Sequence, residues 1–192
     1  MNNNPPLFEK LNSVSRLSKV SFDTLSTFFV HKNFSKGSNL LVTGNIQNEL
    51  YFIKKGVQMA FFENSQKLHV MAFTYPSDFC AIPDSFLLQK PSKYSLLCLS
   101  DTEVLALSYK DLQTLFLNHR DIETLFRKMT ELILAGVLDR QLAMQSENME
   151  QRFRSFCTRS PHLLQLVPQK YLASYLGIDP TNFSKLINSI KI

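Results

Sequence analysis

Polar and basic side chains near the C-terminus have the types and the spacing that nucleic-acid recognition uses. Residues 151–192 contain six Lys and Arg against one acid, Asp179, whereas residues 1–150 contain 15 of each kind, so this segment carries the net charge of +5. Ammonium, amide and hydroxyl groups hydrogen-bond to DNA phosphates and to base edges in the major groove. A solvated basic surface without a partner is the alternative that charge alone leaves open. The expected phosphate contacts come from Gln169 and Lys170, and the expected base contacts from Thr181, Asn182, Ser184, Lys185 and Asn188.

These residues lie in a segment patterned as two short helices joined by a tight turn. The first helix ends at Gly177, since glycine readily adopts the positive φ of a helix end. Asp179 is placed to cap a second helix that begins at Pro180. Ala173, four residues before Gly177, and Phe183, six after it, complete the spacing of a DNA-binding helix–turn–helix, for which an ordinary helical hairpin is the alternative. The apolar residues of the two helices are Leu172, Tyr175, Leu176, Phe183, Leu186, Ile187 and Ile190.

The remaining reactive side chains show no catalytic or metal-binding pattern. The sequence contains no Gly-x-Ser-x-Gly, phosphate-binding loop, His-Glu-x-x-His motif or Gly-rich dinucleotide turn, so we expect no enzyme. The four histidines and three cysteines have no short ligand spacing for zinc. Three cysteines are also too few for the four thiolates of an iron–sulfur cluster. We therefore expect no metal and no cofactor.

The elements that must position these residues change in character along the chain. Leu7, Leu11, Val14 and Leu17 recur at helical spacing within the first thirty residues. Residues 31–108 consist of short apolar runs separated by turn residues, which is typical of an antiparallel roll or barrel. Because 44% of the residues are hydrophobic, the chain can bury a sizeable core. The pattern predicts an α+β fold in which helices flank an antiparallel β-roll.

A long helix is predicted after residue 118. Apolar residues follow steps of three and four, and no Pro or strong breaker occurs before Ser146, which allows a helix of roughly 25 residues or about 40 Å. Such a stripe can simply face the core of its own chain. A helix of this length also needs covering by more than the roll, and a second copy of the chain would supply that cover. We expect a homodimer whose interface includes Ile122, Leu125, Met129, Leu132 and Gly136.

In this order of elements, the chain resembles the Crp/Fnr family of bacterial transcription factors, which includes the cyclic-AMP receptor protein and the fumarate-nitrate regulator. Three segments carry the resemblance: residues 48–56 (NELYFIKKG), 76–79 (PSDF) and 101–108 (DTEVLALS). They are similar to a turn of the family's β-roll, to the segment before its phosphate-binding cassette and to its last strand. The resemblance implies a cyclic-nucleotide-binding-like jelly roll, a long dimerisation helix and a C-terminal domain that binds double-stranded DNA. RNA polymerase is a further candidate partner.

The cassette departs from that of the family's cyclic-nucleotide binders. Those proteins have Gly-Glu after the Phe, where the Glu accepts the ribose hydroxyl, and an Arg-Ser or Arg-Thr pair whose Arg clamps the cyclic phosphate. Here Ile82 stands at the position of the Glu, and its side chain accepts no hydrogen bond. Ser92 stands at the position of the Arg and has no charge. We therefore expect neither cyclic AMP nor cyclic GMP to bind in the usual mode. An unknown small-molecule effector, or none, is expected instead. Its candidate pocket residues are Phe79, Cys80, Ala81, Ile82, Ser92 and Lys93.

The sequence thus predicts three parts, a β-roll sensor domain over 1–118, a dimerisation helix over 119–147 and a helix–turn–helix domain over 148–192, with no β-hairpin wing after the last helix. No apolar run reaches the roughly 20 residues of a membrane span, and no signal-peptide pattern is present. We expect a dimeric, cytoplasmic, DNA-binding transcriptional regulator with no membrane partner. The alternative is a roll-containing interaction or scaffold protein without specific DNA binding, whose helix–turn–helix serves only for packing.

Overall fold

The structure, a computed structural model, describes residues 5–65 and 67–189. Helices α1 (Pro5–Val14) and α2 (Lys19–Thr27) precede the strands. The strands are β1 (Val30–Phe34), β2 (Asn39–Leu41), β3 (Glu49–Lys55), β4 (Gln58–Glu63), β5 (Leu68–Thr74), β6 (Phe79–Cys80), β7 (Ser95–Cys98) and β8 (Thr102–Ser108), with helix α3 (Pro83–Leu88) between β6 and β7. The later helices are α4 (Tyr109–Asn118), α5 (Arg120–Ser146), α6 (Met149–Arg159), α7 (Leu163–Leu166), α8 (Gln169–Leu176) and α9 (Pro180–Ser189).

Two four-stranded sheets form the roll, with strand orders β1-β8-β3-β6 and β2-β7-β4-β5. Successive side chains of a strand point to opposite faces. In β8, Val104 and Ala106 enter one apolar cluster, while Leu105 and Leu107 enter another that includes the helices. The first sheet is therefore covered on both faces, which explains why the runs 50–53 and 104–107 are apolar without alternation.

The helical cover of the first sheet comes from α1, α2, α4 and the start of α5. Leu11, Leu25, Leu112 and Ile122, one from each helix, are buried in the same cluster. Ser108 caps α4 by accepting a hydrogen bond from the Asp111 N–H at 3.0 Å.

The starts of α2 and α5 meet at Asp121. Its carboxylate accepts hydrogen bonds from the Ile122 N–H at 3.0 Å and from the Ser18 N–H at 3.4 Å. Burial opposes ionisation, but these bonds and one from the Ser21 hydroxyl outweigh it, so the pKa of Asp121 lies below its ordinary value of 3.8. The ionised carboxylate also suits the first turn of α5, where the helix dipole is positive.

Contacts divide the described residues into two compact units. The first comprises residues up to Ala60 together with Phe73–Ile133, and the second comprises Phe61–Ala72 together with the residues from Leu134 onward. The tip of the β4–β5 hairpin therefore belongs with the C-terminal helices, and α5 contributes residues to both units. The three-part domain division expected from the sequence stays a prediction.

The fold class expected from the sequence is confirmed. Helices flank a β-roll, a 27-residue helix follows it, and short helices occupy the C-terminal region. Of the helices that the structure describes, none is both long and apolar enough to cross a bilayer.

Candidate nucleic-acid interface and effector cassette

Helices α8 and α9 are joined by a tight turn at the positions expected for a helix–turn–helix. Helix α8 ends at Gly177, whose φ is +63°, and the Ile178 N–H donates back to a carbonyl of α8 at 3.0 Å. The positive φ favours glycine at this position, whereas the Met144 Cε, 2.6 Å from where a Cβ would lie, is the end of a flexible side chain that can shift. Asp179 Oδ1 accepts a hydrogen bond from the Thr181 N–H at 2.9 Å, which caps α9 as the sequence predicts.

The inward face of the two helices is built around Phe183. Its side chain is 1% exposed and meets the ring of Phe153 on α6 edge-on, with 5.5 Å between ring centroids. Leu186 and Ile187 are half-buried, and Ile190 lies outside the described residues. Leu172, Ala173 and Leu176, which belong to the predicted helix–turn–helix pattern, are buried as well, and so is Ile178 in the turn.

The candidate DNA-contacting residues lie away from this core. Gln169 and Lys170 are exposed at the start of α8. On α9, Thr181, Ser184, Lys185 and Asn188 are exposed and Asn182 is half-exposed. Because Phe183 faces inward, the exposed polar side chains of α9 present their donors to solvent on the other side of that helix. Their contacts with DNA stay predictions.

Two arginines hold the end of α8, and the sequence did not indicate them. Arg140 of α5 donates from Nη2 to the Tyr175 carbonyl at 2.6 Å, and its guanidinium carbon lies 3.9 Å from the Tyr175 ring centroid. Arg152 of α6 donates from Nε to the Leu176 carbonyl at 2.9 Å. The last carbonyls of a helix lack partners within the helix and attract cations, so this pair fixes the turn between α8 and α9.

Ser174 of α8 makes a second contact that has no local sequence signal. Its Oγ accepts a hydrogen bond from the Val70 N–H at 3.0 Å and donates one to the Leu68 carbonyl at 3.0 Å. Strand β5 is the outermost strand of its sheet. The hydroxyl thus binds main-chain groups of an otherwise open strand edge.

The degenerate cassette comprises β6, α3 and the loop that follows. The structure buries Cys80, Ile82 and Ser92, half-buries Phe79 and Ala81, and exposes Lys93. The Ile82 side chain packs in an apolar cluster between the strands. Ser92 Oγ accepts from the Tyr94 N–H at 2.9 Å and donates to the Tyr94 carbonyl at 2.8 Å, so this hydroxyl is already bonded within the chain.

Gln47, which sequence reasoning missed, satisfies the main chain of the cassette. Its Oε1 accepts from the Ile82 N–H at 2.7 Å, and its own N–H donates to Ser85 Oγ at 3.0 Å. Its Nε2 donates to the Glu49 carbonyl at 2.8 Å. The polar groups at this end of the cassette therefore have partners within the chain.

The Cys80 thiol is buried between the strands. Burial raises the pKa of Cys80 to about 12, because the charged thiolate is poorly solvated there. A thiol with such a pKa is a weak nucleophile near neutral pH. Among the described residues, no group of three His, Cys, Asp or Glu could hold a metal ion.

The exposed apolar face of α5 differs from the interface that the sequence predicts. Ile122 and Leu125 are fully buried in the core of their own chain, so their prediction as interface residues is wrong, whereas Met129 is half-buried and stays a predicted interface residue. A three-and-four spacing cannot tell a core-facing stripe from a partner-facing one. Leu132 is exposed, and Gly136 has open space around it. The other large apolar residues of α5 that are exposed are Ile133, Leu134, Val137, Leu138, Leu142 and Met144.

One family model matches the part of the chain that forms the roll. Residues 31–119 match the family model described as the cyclic nucleotide-binding domain. Among curated protein sequences, none matches the chain.

Solved structures share the fold over most of the chain. The catabolite activator protein of Thermus thermophilus is 18% identical, with 96% of this chain and 85% of that chain covered and a TM-score of 0.59. FixK2 from Bradyrhizobium japonicum is 13% identical, with 83% of each chain covered and a TM-score of 0.71. A protein of Eubacterium rectale described as a transcriptional regulator of the Crp/Fnr family is 11% identical, with 90% and 82% covered and a TM-score of 0.69. The resemblance to Crp/Fnr regulators inferred from the sequence is thereby confirmed at the level of the fold.

Proposed function

We propose that the chain is a dimeric, cytoplasmic, DNA-binding transcriptional regulator whose β-roll does not bind cyclic AMP or cyclic GMP in the usual mode. The observation that carries the proposal is the exposed polar face of α9, opposite buried Phe183, in the segment that holds the net positive charge. The shared fold with regulators of this class supports it. RNA polymerase is the further partner that such a regulator would contact.

DNA recognition would use α9 in the major groove. Thr181 and Lys185 lie one turn apart on its exposed face, where Lys can donate to guanine acceptors. Gln169 and Lys170 would contact phosphates and set the position of α9 without reading bases. Two copies related by a two-fold axis would then read two half-sites about one helical turn apart.

The dimer would form through the exposed apolar residues of α5. Leu134, Val137 and Leu138 are each more than half exposed, and Leu142 follows one turn after Leu138. Large apolar side chains grouped on one face of a long helix mark a surface that another protein covers. Gly136 faces elsewhere, because it lines a cavity together with Arg140 and Glu147.

Exclusion of cyclic nucleotides would follow from the cassette chemistry. Ile82 offers no acceptor to a ribose hydroxyl, and its N–H is bonded to Gln47. Ser92 offers no charge to a phosphate and is bonded to Tyr94. Calorimetric titration with cyclic AMP and cyclic GMP tests this proposal, and a micromolar dissociation constant for either would contradict it.

Binding to fragmented genomic DNA over a range of salt concentrations tests DNA recognition. A specific regulator that neutralises several phosphates should select particular fragments and lose affinity steeply with salt, at a slope of about −0.9 per phosphate contact. Weak association that neither selects fragments nor depends on salt would instead support the interaction-protein alternative.

A further inference from the structure

A cavity of about 310 Å³ lies in the second unit, among α5, α6 and α8. This volume is near the lower end of the roughly 300–1,000 Å³ typical of small-molecule sites. The residues of the degenerate cassette do not line it. We call it the arginine cavity, and its charged residues are Arg140, Arg152, Arg159, Asp139 and Glu147, with Tyr175 and Phe156 as its aromatic residues.

The three arginines reach this cavity without a carboxylate partner. Arg140 and Arg152 donate to main-chain carbonyls, and Arg159 donates to a tyrosine hydroxyl. In the part of the chain that the structure describes, no acidic side chain lies within ion-pair distance of any of them. Arg154, on the same helix as two of them, is by contrast paired with Glu150 at 2.8 Å. The lining therefore holds three guanidinium charges against the carboxylates of Asp139 and Glu147, a formal charge of +1, with no arginine tied up in an ion pair, which suits a ligand that carries an anionic group.

Tyr175 holds two of these guanidinium groups in place. Arg140 stacks on one face of the ring and donates to the Tyr175 carbonyl, while Arg159 Nη2 donates to Tyr175 Oη at 3.3 Å. A guanidinium group carries five N–H donors. The described contacts use one donor of Arg140 and one of Arg159. The two side chains are thus positioned in advance and keep further donors for a carboxylate or phosphate.

Glu147 adds an acceptor to the same cavity. Its carboxylate takes part in no ion pair, and its buried Oε2 finds no hydrogen-bond partner among the described residues. A ligand that donates a hydrogen bond to the carboxylate would therefore be favoured. The cavity therefore combines sites for an anion with a site for a donor.

We propose that the arginine cavity binds a small metabolite that carries both an anionic group, carboxylate or phosphate, and a hydrogen-bond donor. The anionic group binds Arg140 and Arg159, and the donor, an ammonium or a hydroxyl, binds the Glu147 carboxylate. Binding itself is independent of DNA. An effector role rests on the proposed function, because Arg140 and Arg152 also hold the end of α8, from which the turn to α9 begins.

Calorimetry on the full chain at low ionic strength tests binding with three probes. L-glutamate and glutarate share two carboxylates, but only L-glutamate has an ammonium group; glycerol 3-phosphate offers a phosphate with hydroxyls. We expect saturable binding of L-glutamate or glycerol 3-phosphate, and weaker binding of glutarate. The two tighter probes separate a carboxylate ligand from a phosphate ligand.

Variants locate the site. Arg159→Gln should lower the affinity for whichever probe binds by about tenfold or more, since one charged hydrogen-bonding partner is lost. Arg159 is exposed, so the fold should tolerate the change. Arg154→Gln, on the same helix but paired with Glu150, should leave the affinity unchanged. If the probe is L-glutamate, Glu147→Gln should reduce its advantage over glutarate.

Three results would overturn the proposal. These are no saturable heat with any probe at millimolar concentration, an equal loss in Arg159→Gln and Arg154→Gln, or a loss of DNA affinity in Arg159→Gln without any probe binding. The last would assign the arginines to DNA phosphates. A parallel DNA titration distinguishes a failure of this proposal from a failure of the proposed function. A parent chain that binds no DNA counts against the proposed function, whereas the calorimetry tests the ligand site without DNA. Probe binding that leaves DNA affinity unchanged would refute the effector role alone.

Discussion

Gln47 closes the cassette with hydrogen bonds from its own side chain. It is 2% exposed and connects the start of β3 with the loop before α3, through the Glu49 carbonyl and the Ile82 N–H. The bond to the Ile82 N–H is buried and the bond to the Glu49 carbonyl is partly buried, and an unpaired buried donor or acceptor is costly. A single buried amide therefore satisfies main-chain groups at this end of the cassette without a ligand.

Gln47→Leu should lower the free energy of unfolding by about 1–3 kcal/mol, because the Ile82 N–H and the Glu49 carbonyl would lose their partner inside the protein. Urea unfolding followed by circular dichroism measures the change. Gln165→Leu is the matched control, since Gln165 is exposed, and it should shift stability by no more than about 0.5 kcal/mol. Equal stability of the two variants would show that the Gln47 bonds do not stabilise the roll.

Lys185→Ala should cost about 1–3 kcal/mol on the best DNA site and relax the preference at one base pair, because Lys185 lies on the exposed face of α9. Lys170→Ala should weaken binding to every sequence alike and flatten the salt slope by about one unit. Fluorescence anisotropy on matched and mutated sites separates the two effects. Lys54→Ala, which removes an exposed lysine of β3, is the control.

If Lys185→Ala changes neither affinity nor sequence preference, α9 does not read bases. Phe183→Ala shows how a folding defect differs from the loss of a DNA contact. It should destabilise the C-terminal helices by about 3–5 kcal/mol, because removal of the buried ring leaves a cavity next to Phe153.

At the scale of elements, those whose ends are marked by local residues could be predicted from the sequence. Gly177 and Asp179 define the turn between α8 and α9 by their own conformations and side chains, and Ser108 defines the start of α4. Contacts between distant segments could not be predicted in this way. Ile82 and Gln47 are 35 residues apart, and Val70 and Ser174 are 104 apart, with no local pattern to connect either pair.

The hydrogen bonds of Asp121 at the starts of α2 and α5 make the stability of this contact depend on pH. Its pKa is lower in the folded chain than its ordinary value of 3.8, so its ionised form stabilises the fold above that value. This contribution is lost as the pH falls through the lower, folded-state pKa. The melting temperature of Asp121→Asn should therefore lie below that of the parent near pH 7, and the difference should shrink below about pH 4.

Thermal unfolding at a series of pH values measures this difference. Asp23→Asn is the control, since Asp23 is an exposed acid on α2. A difference for Asp121→Asn that stays constant down to pH 2 would rule out the ionised carboxylate as its cause.

For the whole molecule, the exposed apolar face of α5 determines the expected assembly. Leu138→Glu should convert a dimer of the 22.1 kDa chain into a monomer, because two copies would bring these charges together in a low-dielectric interface. Light scattering coupled to gel filtration at micromolar concentration measures the mass. Leu117→Glu makes the same substitution at a leucine of α4 that is 87% exposed, and should leave the dimer intact. A parent chain that is monomeric at this concentration would refute the dimer.

The two hydrogen bonds of Ser174 also bear on how copies of the chain avoid aggregation. An outer strand offers unpaired main-chain groups on which a strand of another molecule can add, and natural proteins cover such edges. Ser174 occupies the Val70 N–H and the Leu68 carbonyl, which are groups that an incoming strand would need. Helix α8 thus protects β5 from edge-to-edge association. On warming, Ser174→Ala should become turbid at a lower temperature than Ser184→Ala, which removes an exposed hydroxyl from α9 instead.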